Sequence, residues 1–187
     1  MENQKLSPEK KIKGLGFTVG DFWAWAYSDV LCNTNRCALA EFLVAAALGV
    51  VKAPRIEWES VDLQYGAKKI EVKCSAYLQS WEQTGLSRIK FDIAKKKQLD
   101  KKTNAYSGEP IRPADCYVFC IYGEKDAAKT DSILEVESWE FYVLAKEEIG
   151  RPFGNQKSVG IEAIRRGCKP VGYGLLKSTV DSVLGVE

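Results

Sequence analysis

The heptapeptide Cys116-Tyr117-Val118-Phe119-Cys120-Ile121-Tyr122 is apolar or aromatic at every step. A strand turns alternate residues to opposite faces, so such a run must be covered on both sides. It reads as a central strand, and it requires a sheet with a further layer on each face. A chain of 187 residues that is 45% hydrophobic can supply those layers within one domain.

Helices and strands are legible around that strand. Asp21 is expected to cap a helix running to about Leu31 and carrying Phe22, Trp23, Trp25 and Tyr27, most of them for core packing, with base stacking as the alternative. Trp58 and Trp81 are read as core residues in the same way. Asn35 is expected to cap a second helix, Arg36 to Leu48, stopped by Gly49. Two strand-like runs follow, Ile56 to Tyr65 and Lys68 to Tyr77. Leu78 to Ile93 reads as loop or short helix leading into a strand from Arg88. Ala94 to Pro113 is a polar connection with Gly and Pro, expected to be the most flexible segment. Trp139 to Leu144 is a further strand, and Ser158 to Arg166 and Tyr173 to Leu184 read as short amphipathic helices. The predicted class is α/β in the broad sense: a mixed sheet (α+β) flanked by helices. Residues 1–187 form one domain, with an arm at 1–13, a core at 14–149 and a helical C-terminal appendage at 150–187.

Composition removes several chemistries. The chain has no histidine, and its six cysteines form no CxxC pair. That excludes the usual zinc spacings, histidine bases and Ser-His or Cys-His nucleophile pairs. The cysteines read as small buried hydrophobes. Any metal would rest on oxygen ligands, which suits magnesium or manganese. No apolar run reaches the roughly 18 residues that span a bilayer, and Met1 to Lys13 lacks an apolar leader core. The expectation is a cytoplasmic protein without a membrane partner.

The hairpin concentrates charge. Glycine at the first central position suits a two-residue turn at Gly66-Ala67, which pairs Tyr65 with Lys68 and sets Asp62 opposite Glu71. Asp62, Glu71 and Lys73 then share one face, and Val61, Leu63, Ile70 and Val72 the other. Two carboxylates with β-carbons about 4.5–5.5 Å apart repel unless a cation lies between them. A divalent metal beside Lys73 answers that need. Glu41 is a second anomaly, because its helical neighbours are Cys37, Ala38, Val44, Ala45 and Leu48. A carboxylate on such a face is costly unless paired. Its partner is either a cation such as Arg36 or Arg55, or a metal site at the hairpin.

An acid on a helix, then Val61-Asp62, then Ile70-Glu71-Val72-Lys73 across a hairpin resembles the PD-(D/E)xK nuclease superfamily, with its restriction-endonuclease-like core. The resemblance spans about residues 36 to 122, with Val61 where the name-giving proline would stand. It implies that Asp62, Glu71 and the carbonyl of Val72 hold one or two Mg2+ (or Mn2+) ions, with Glu41 joining directly or through water. Lys73 would orient the attacking water or stabilise charge developing on the phosphate. Ser75 and Gln79 fall on the same face if the strand continues, either as contacts to water or phosphate or as ordinary polar strand residues.

The implied function is a metal-dependent DNA endonuclease acting on duplex DNA, in a chain that small size makes a candidate homodimer. From Arg88 to Lys102 seven bases meet two acids, so Lys95, Lys96, Lys97, Lys101 and Lys102 form a basic flank suited to a phosphate backbone. Arg165, Arg166, Lys169 and Lys177 either touch DNA or a second copy, or simply edge packed helices. Two rivals remain: a non-catalytic nucleic-acid-binding or assembly protein of nuclease-like fold, and a hairpin held by a plain Glu71–Lys73 ion pair.

Overall fold

The computed structural model describes residues 4–56, 60–100 and 105–186. Near its start the chain doubles back. Ile12 N–H donates to Phe17 O at 3.0 Å, Val19 N–H to Lys10 O at 2.9 Å and Gly20 N–H to Pro8 O at 2.8 Å. The segment expected as an arm is therefore fastened from Pro8 onward. Helix α1 (Val19–Tyr27) is capped by Thr18, not Asp21. Asp21 instead closes a capping box: its N–H donates to Thr18 Oγ1 at 3.2 Å while its carboxylate accepts Thr18 N–H at 2.7 Å. Helix α2 (Asn33–Ala47) is capped by Cys32, one turn's reach before the expected Asn35. Asn35 lies inside the first turn, and its amide donates to Asp29 O at 2.9 Å, bracing the link between the helices. Gly49, at φ +72°, terminates the segment as expected.

Among the described residues, eight strands and three more α-helices follow, apart from two 3-10 helices between Tyr122 and Trp139. They are β1 (Leu63–Tyr65), β2 (Lys68–Ala76), β3 (Lys90–Asp92), β4 (Lys96–Asp100), β5 (Ala105–Ile111), β6 (Cys116–Tyr122), β7 (Trp139–Ala145), α3 (Lys146–Phe153), β8 (Ser158–Gly160), α4 (Ile161–Gly167) and α5 (Tyr173–Leu184). Strands β1-β2-β6-β7 form a mixed four-stranded sheet. β2 and β6 run parallel from Ile70↔Cys116 to Ala76↔Tyr122, and β6 and β7 run antiparallel. β6 thus has a neighbour on each side, and every residue in it is buried.

Its two faces serve two cores. Cys116, Val118, Cys120 and Tyr122 pack with Ala40 and Val44 of α2, with Leu48 at its C-cap, and with Leu176, Val180 and Leu184 of α5. Tyr117, Phe119 and Ile121 pack with Phe91 of β3, Ile149 of α3, Val159 of β8 and Ile164 of α4. Residues 150–187, expected as a helical appendage, supply Leu176, Val180 and Leu184 to the first core and Val159, Ile161 and Ile164 to the second. The predicted class, a mixed sheet flanked by helices, describes this arrangement.

Other expectations change. Ala94 to Pro113 contains the β4–β5 hairpin, pairing Lys96 with Ile111 and Asp100 with Ala105. Ser158–Gly160 is a strand because it pairs with β3, Phe91 opposite Val159, and only then does α4 begin. α3 has a single buried residue, Ile149, so it shows no apolar period. The aromatic residues of α1 are not core: Phe22, Trp23, Trp25 and Tyr27 are all exposed, Trp25 by 84%, and Val19 is that helix's buried residue. Trp81 is exposed too, and Trp58 lies outside the described residues. Among the described residues, no helix is long and apolar enough to cross a membrane.

Candidate active site

The hairpin has the register its sequence implies. Gly66 takes φ +58°, a conformation that costs glycine little, and Tyr65↔Lys68, Gln64↔Lys69 and Leu63↔Ile70 are partners. The ladder ends at Leu63, one residue short of Asp62 and Glu71. Asp62 keeps its place by its side chain: Oδ2 accepts Val72 N–H at 2.7 Å. The bend at Ser60–Asp62 also breaks the alternation. Val61 consequently packs with Phe91 and Phe119 in the second core, whereas Leu63, Ile70 and Val72 belong to the first. The expectation of one shared apolar face for Val61 and Leu63 fails for that reason.

On β2, Glu71, Lys73 and Ser75 stand opposite Tyr117, Phe119 and Ile121, so they share the face of the second core. Lys73 Nζ lies 2.5 Å from Glu71 Oε1, with both side chains largely buried. Lys96 Nζ comes within 3.9 Å of the same oxygen. Burial pulls the Lys73 ammonium down, but Glu71, bonded to it, together with Asp62 and Asp92, outweighs burial and raises it. Burial, then Glu71, raise the phenol of Tyr117.

Asp62 is the least compensated group. Burial raises its carboxyl to about 6, assisted by the charges of Glu71 and Glu41 and opposed by the Val72 N–H and Lys73. Glu41, on α2, is itself buried, and Arg55 grips it with two bonds: Nε to Oε2 at 2.5 Å and Nη2 to Oε1 at 2.8 Å. Glu41 and Asp62 open onto one cavity of about 680 Å³, lined also by Phe42, Arg55, Val61 and Lys69. Glu71 and Lys73 are not in its lining. Asp62, at the end of the edge strand, is where the helix layer carrying Glu41 meets the sheet face carrying Glu71 and Lys73.

The remaining expected residues divide. Ser75 is half-buried on the Glu71 face. Gln79 is not there, because β2 stops at Ala76 and strand alternation stops with it. Its amide donates to Ala76 O at 3.0 Å and its oxygen accepts Arg36 Nη1 at 3.2 Å, which turns it toward α2. Lys95 bonds Asn155 Oδ1 at 2.8 Å, and Lys97 is exposed. Lys101 and Lys102 lie outside the described residues. The sequence places Lys96 only in a basic flank; the β4–β5 hairpin, inside a segment whose polar composition predicts a connection, brings it beside Glu71. Tyr117 and Asp92 are further neighbours: the parallel β2–β6 register sets Tyr117 opposite Glu71, whereas Asp92 reaches Lys73 from β3, a strand of another sheet.

Among the described residues, no group of three or more His, Cys, Asp or Glu side chains converges to hold a metal ion. What the site offers is a hard-oxygen set: Asp62 engaged through Oδ2 and Glu71 through Oε1, each with a second carboxylate oxygen, and Glu41 nearby. An acid raised first by burial and then by two neighbouring acids is short of positive charge, which a magnesium or manganese ion would supply. Comparison with protein-family models, with curated proteins and with solved structures finds no match.

Proposed function

We propose that this chain is a metal-dependent DNA endonuclease of the PD-(D/E)xK kind, hydrolysing phosphodiesters at Asp62, Glu71 and Lys73. The observation that carries the reading is the state of Asp62. Its carboxyl, tied to Val72 N–H, is raised to about 6 through burial and the charges of Glu71 and Glu41, while Lys73 sits on Glu71. The order of helix acid, hairpin acids and central strand supports a restriction-endonuclease-like core within the mixed sheet.

Asp62, Glu71 and the Val72 carbonyl would hold Mg2+ or Mn2+, with Glu41 as a further oxygen ligand. The ion would supply positive charge at the scissile phosphate and acidify water there. Lys73, positioned by Glu71, donates toward the phosphate oxygen on which charge develops. Lys95, Lys96 and Lys97 on the β4 side hold the flanking backbone, and Lys96 is close enough to Glu71 to shift to a phosphate when one arrives. Cytoplasmic location, duplex substrate and action as a homodimer belong to this same reading.

One observation favours a second reading. Glu41 is held by Arg55 and Glu71 by Lys73, so two of the three acids already have cations. A nucleic-acid-binding or assembly protein with an ion-paired hairpin would look like this. Incubation with supercoiled plasmid, a four-way junction and single strands, in magnesium, manganese or chelator, separates the two. Cleavage in metal alone supports the enzyme; retention of DNA without cleavage under every condition overturns it.

A further inference from the structure

Seven of the fourteen large apolar side chains exposed among the described residues lie between Leu6 and Tyr27. So dense a share in so short a segment is a patch, unlike the single exposures found on any surface. Its centre is α1. Phe22, Trp23, Trp25 and Tyr27 spread over about 200° of the helix circumference. They belong to neither core and are 37–84% exposed. Phe22 and Tyr27 lie edge to face with ring centroids 6.3 Å apart, so part of this surface is shaped before anything binds. Phe17, on the chain entering the helix, is exposed as well.

Positive charge frames the rings. From Lys5 to Lys13 four lysines (Lys5, Lys10, Lys11 and Lys13) meet one acid, Glu9. Backbone pairing sets them beside the helix: Lys11 bridges Thr18, the cap of α1, and Lys10 O accepts Val19 N–H. All four lysines are exposed, and among the described residues no ion pair holds them. The nearby acids are engaged locally. Glu9 accepts the hydroxyl of Ser7, Asp21 closes the capping box of α1, and Asp29 accepts Cys32 N–H. Unpaired cations beside exposed rings match a polyanion that carries flat apolar groups.

The segment also leads to the candidate site. Gly20 N–H donates to Pro8 O at 2.8 Å, seating the start of α1 on Pro8. Lys5, three residues and at most about 11 Å of chain away, lines the cavity onto which Glu41 and Asp62 open. A flexible strand can follow this path from the rings into the cavity, and a bilayer cannot. We propose that α1 and the segment before it bind single-stranded DNA. Bases stack on Phe22, Trp25 and Tyr27, and the backbone lies along Lys10, Lys11 and Lys13. The strand then passes Lys5 toward Asp62, which makes a duplex with a single-stranded arm the substrate class. That last step rests on the nuclease reading; the binding surface does not.

The test uses the full chain in chelator and a fluorescein-labelled oligothymidylate of about 12 nucleotides. Anisotropy and quenching of tryptophan fluorescence read the binding. Trp25→Ala should weaken it about 5- to 100-fold. That side chain is 84% exposed, so the fold should be retained. Lys10→Gln, Lys11→Gln and Lys13→Gln together should weaken binding and flatten its log–log salt dependence by about 2. Leu134→Ala, which removes an exposed side chain outside the patch, should change neither. In magnesium, a duplex with a single-stranded arm should be cut faster than a blunt one. Oligothymidylate binding without cleavage of any duplex would defeat the nuclease reading and leave this surface standing. Binding unchanged in both patch variants overturns the proposal. So does indifference to oligothymidylate, whether the chain sediments with phosphatidylserine vesicles instead or self-associates.

Discussion

Asp62 accepts the backbone N–H of Val72 at 2.7 Å, one residue beyond the last paired position of the β1–β2 ladder. A side chain thus continues by hydrogen bonding what the backbone pairing leaves off. It also anchors a carboxylate beside two others, which costs the metal-free protein stability.

That cost has a sign in pH. The folded-state value of Asp62, about 6, lies above the roughly 3.9 of an unfolded aspartate. Stability linked to Asp62 is therefore full below pH 4 and is lost as pH rises through 6. In chelator, Asp62→Asn, which keeps an acceptor for Val72 N–H, should be about 1–3 kcal/mol more stable than wild type at pH 7. The gap should close below pH 4. Melts across that range check it, and a variant less stable than wild type at pH 7 would defeat the argument.

Lys73 is largely buried against Glu71, so Lys73→Ala leaves an acid without its cation. The metal-free variant should lose about 3–5 kcal/mol. If the site holds magnesium, adding the ion should restore part of that loss while cleavage stays absent. Differential scanning calorimetry with and without magnesium reads both. No recovery would favour the plain ion pair.

The Glu41–Arg55 contact predicts a different response. Arg55→Ala should destabilise the fold by about 1–3 kcal/mol by stranding a buried carboxylate. Glu41→Gln should move the titration of Asp62 downward, since Glu41 is one of the charges that raise it. Carboxyl carbon NMR of Asp62 measures the shift. An unchanged titration would remove Glu41 from the site.

Lys95, Lys96 and Lys97 are expected to act on phosphates without reading bases. Replacing all three with Gln should weaken DNA binding across sequences and flatten the log–log salt dependence by about 2–3. Anisotropy titrations at several salt concentrations, in chelator, would show it. An unaltered slope would take the β4 strand out of the DNA interface.

Trp25 offers a contrast with the core. Trp25→Ser should change stability by less than about 0.5 kcal/mol, whereas Phe119→Ala, at the centre of β6, should cost about 3–5 kcal/mol. Urea denaturation of the two variants compares them directly. A large loss at Trp25 would mean that α1 is packed after all.

What the sequence determined by itself is local or periodic. A seven-residue run apolar on both faces dictated a central strand. A glycine turn between matched alternations dictated the hairpin register, because slipping by one residue would reverse every side chain. The buried helix glutamate announced that it needed a cation. The identity of that cation, Arg55, and the end of the ladder at Leu63 depended on how the chain bends at Ser60–Asp62. Strands β4, β5 and β8 are short or polar and exist through their partners, so no run of residues reveals them alone, whereas β3 lies within the strand legible from Arg88. Gln79 turned toward Arg36 because β2 stopped at Ala76. The aromatic residues of α1 remained exposed because neither core extends beneath them. Pairing and burial are properties of two segments brought together, and tertiary structure decided them.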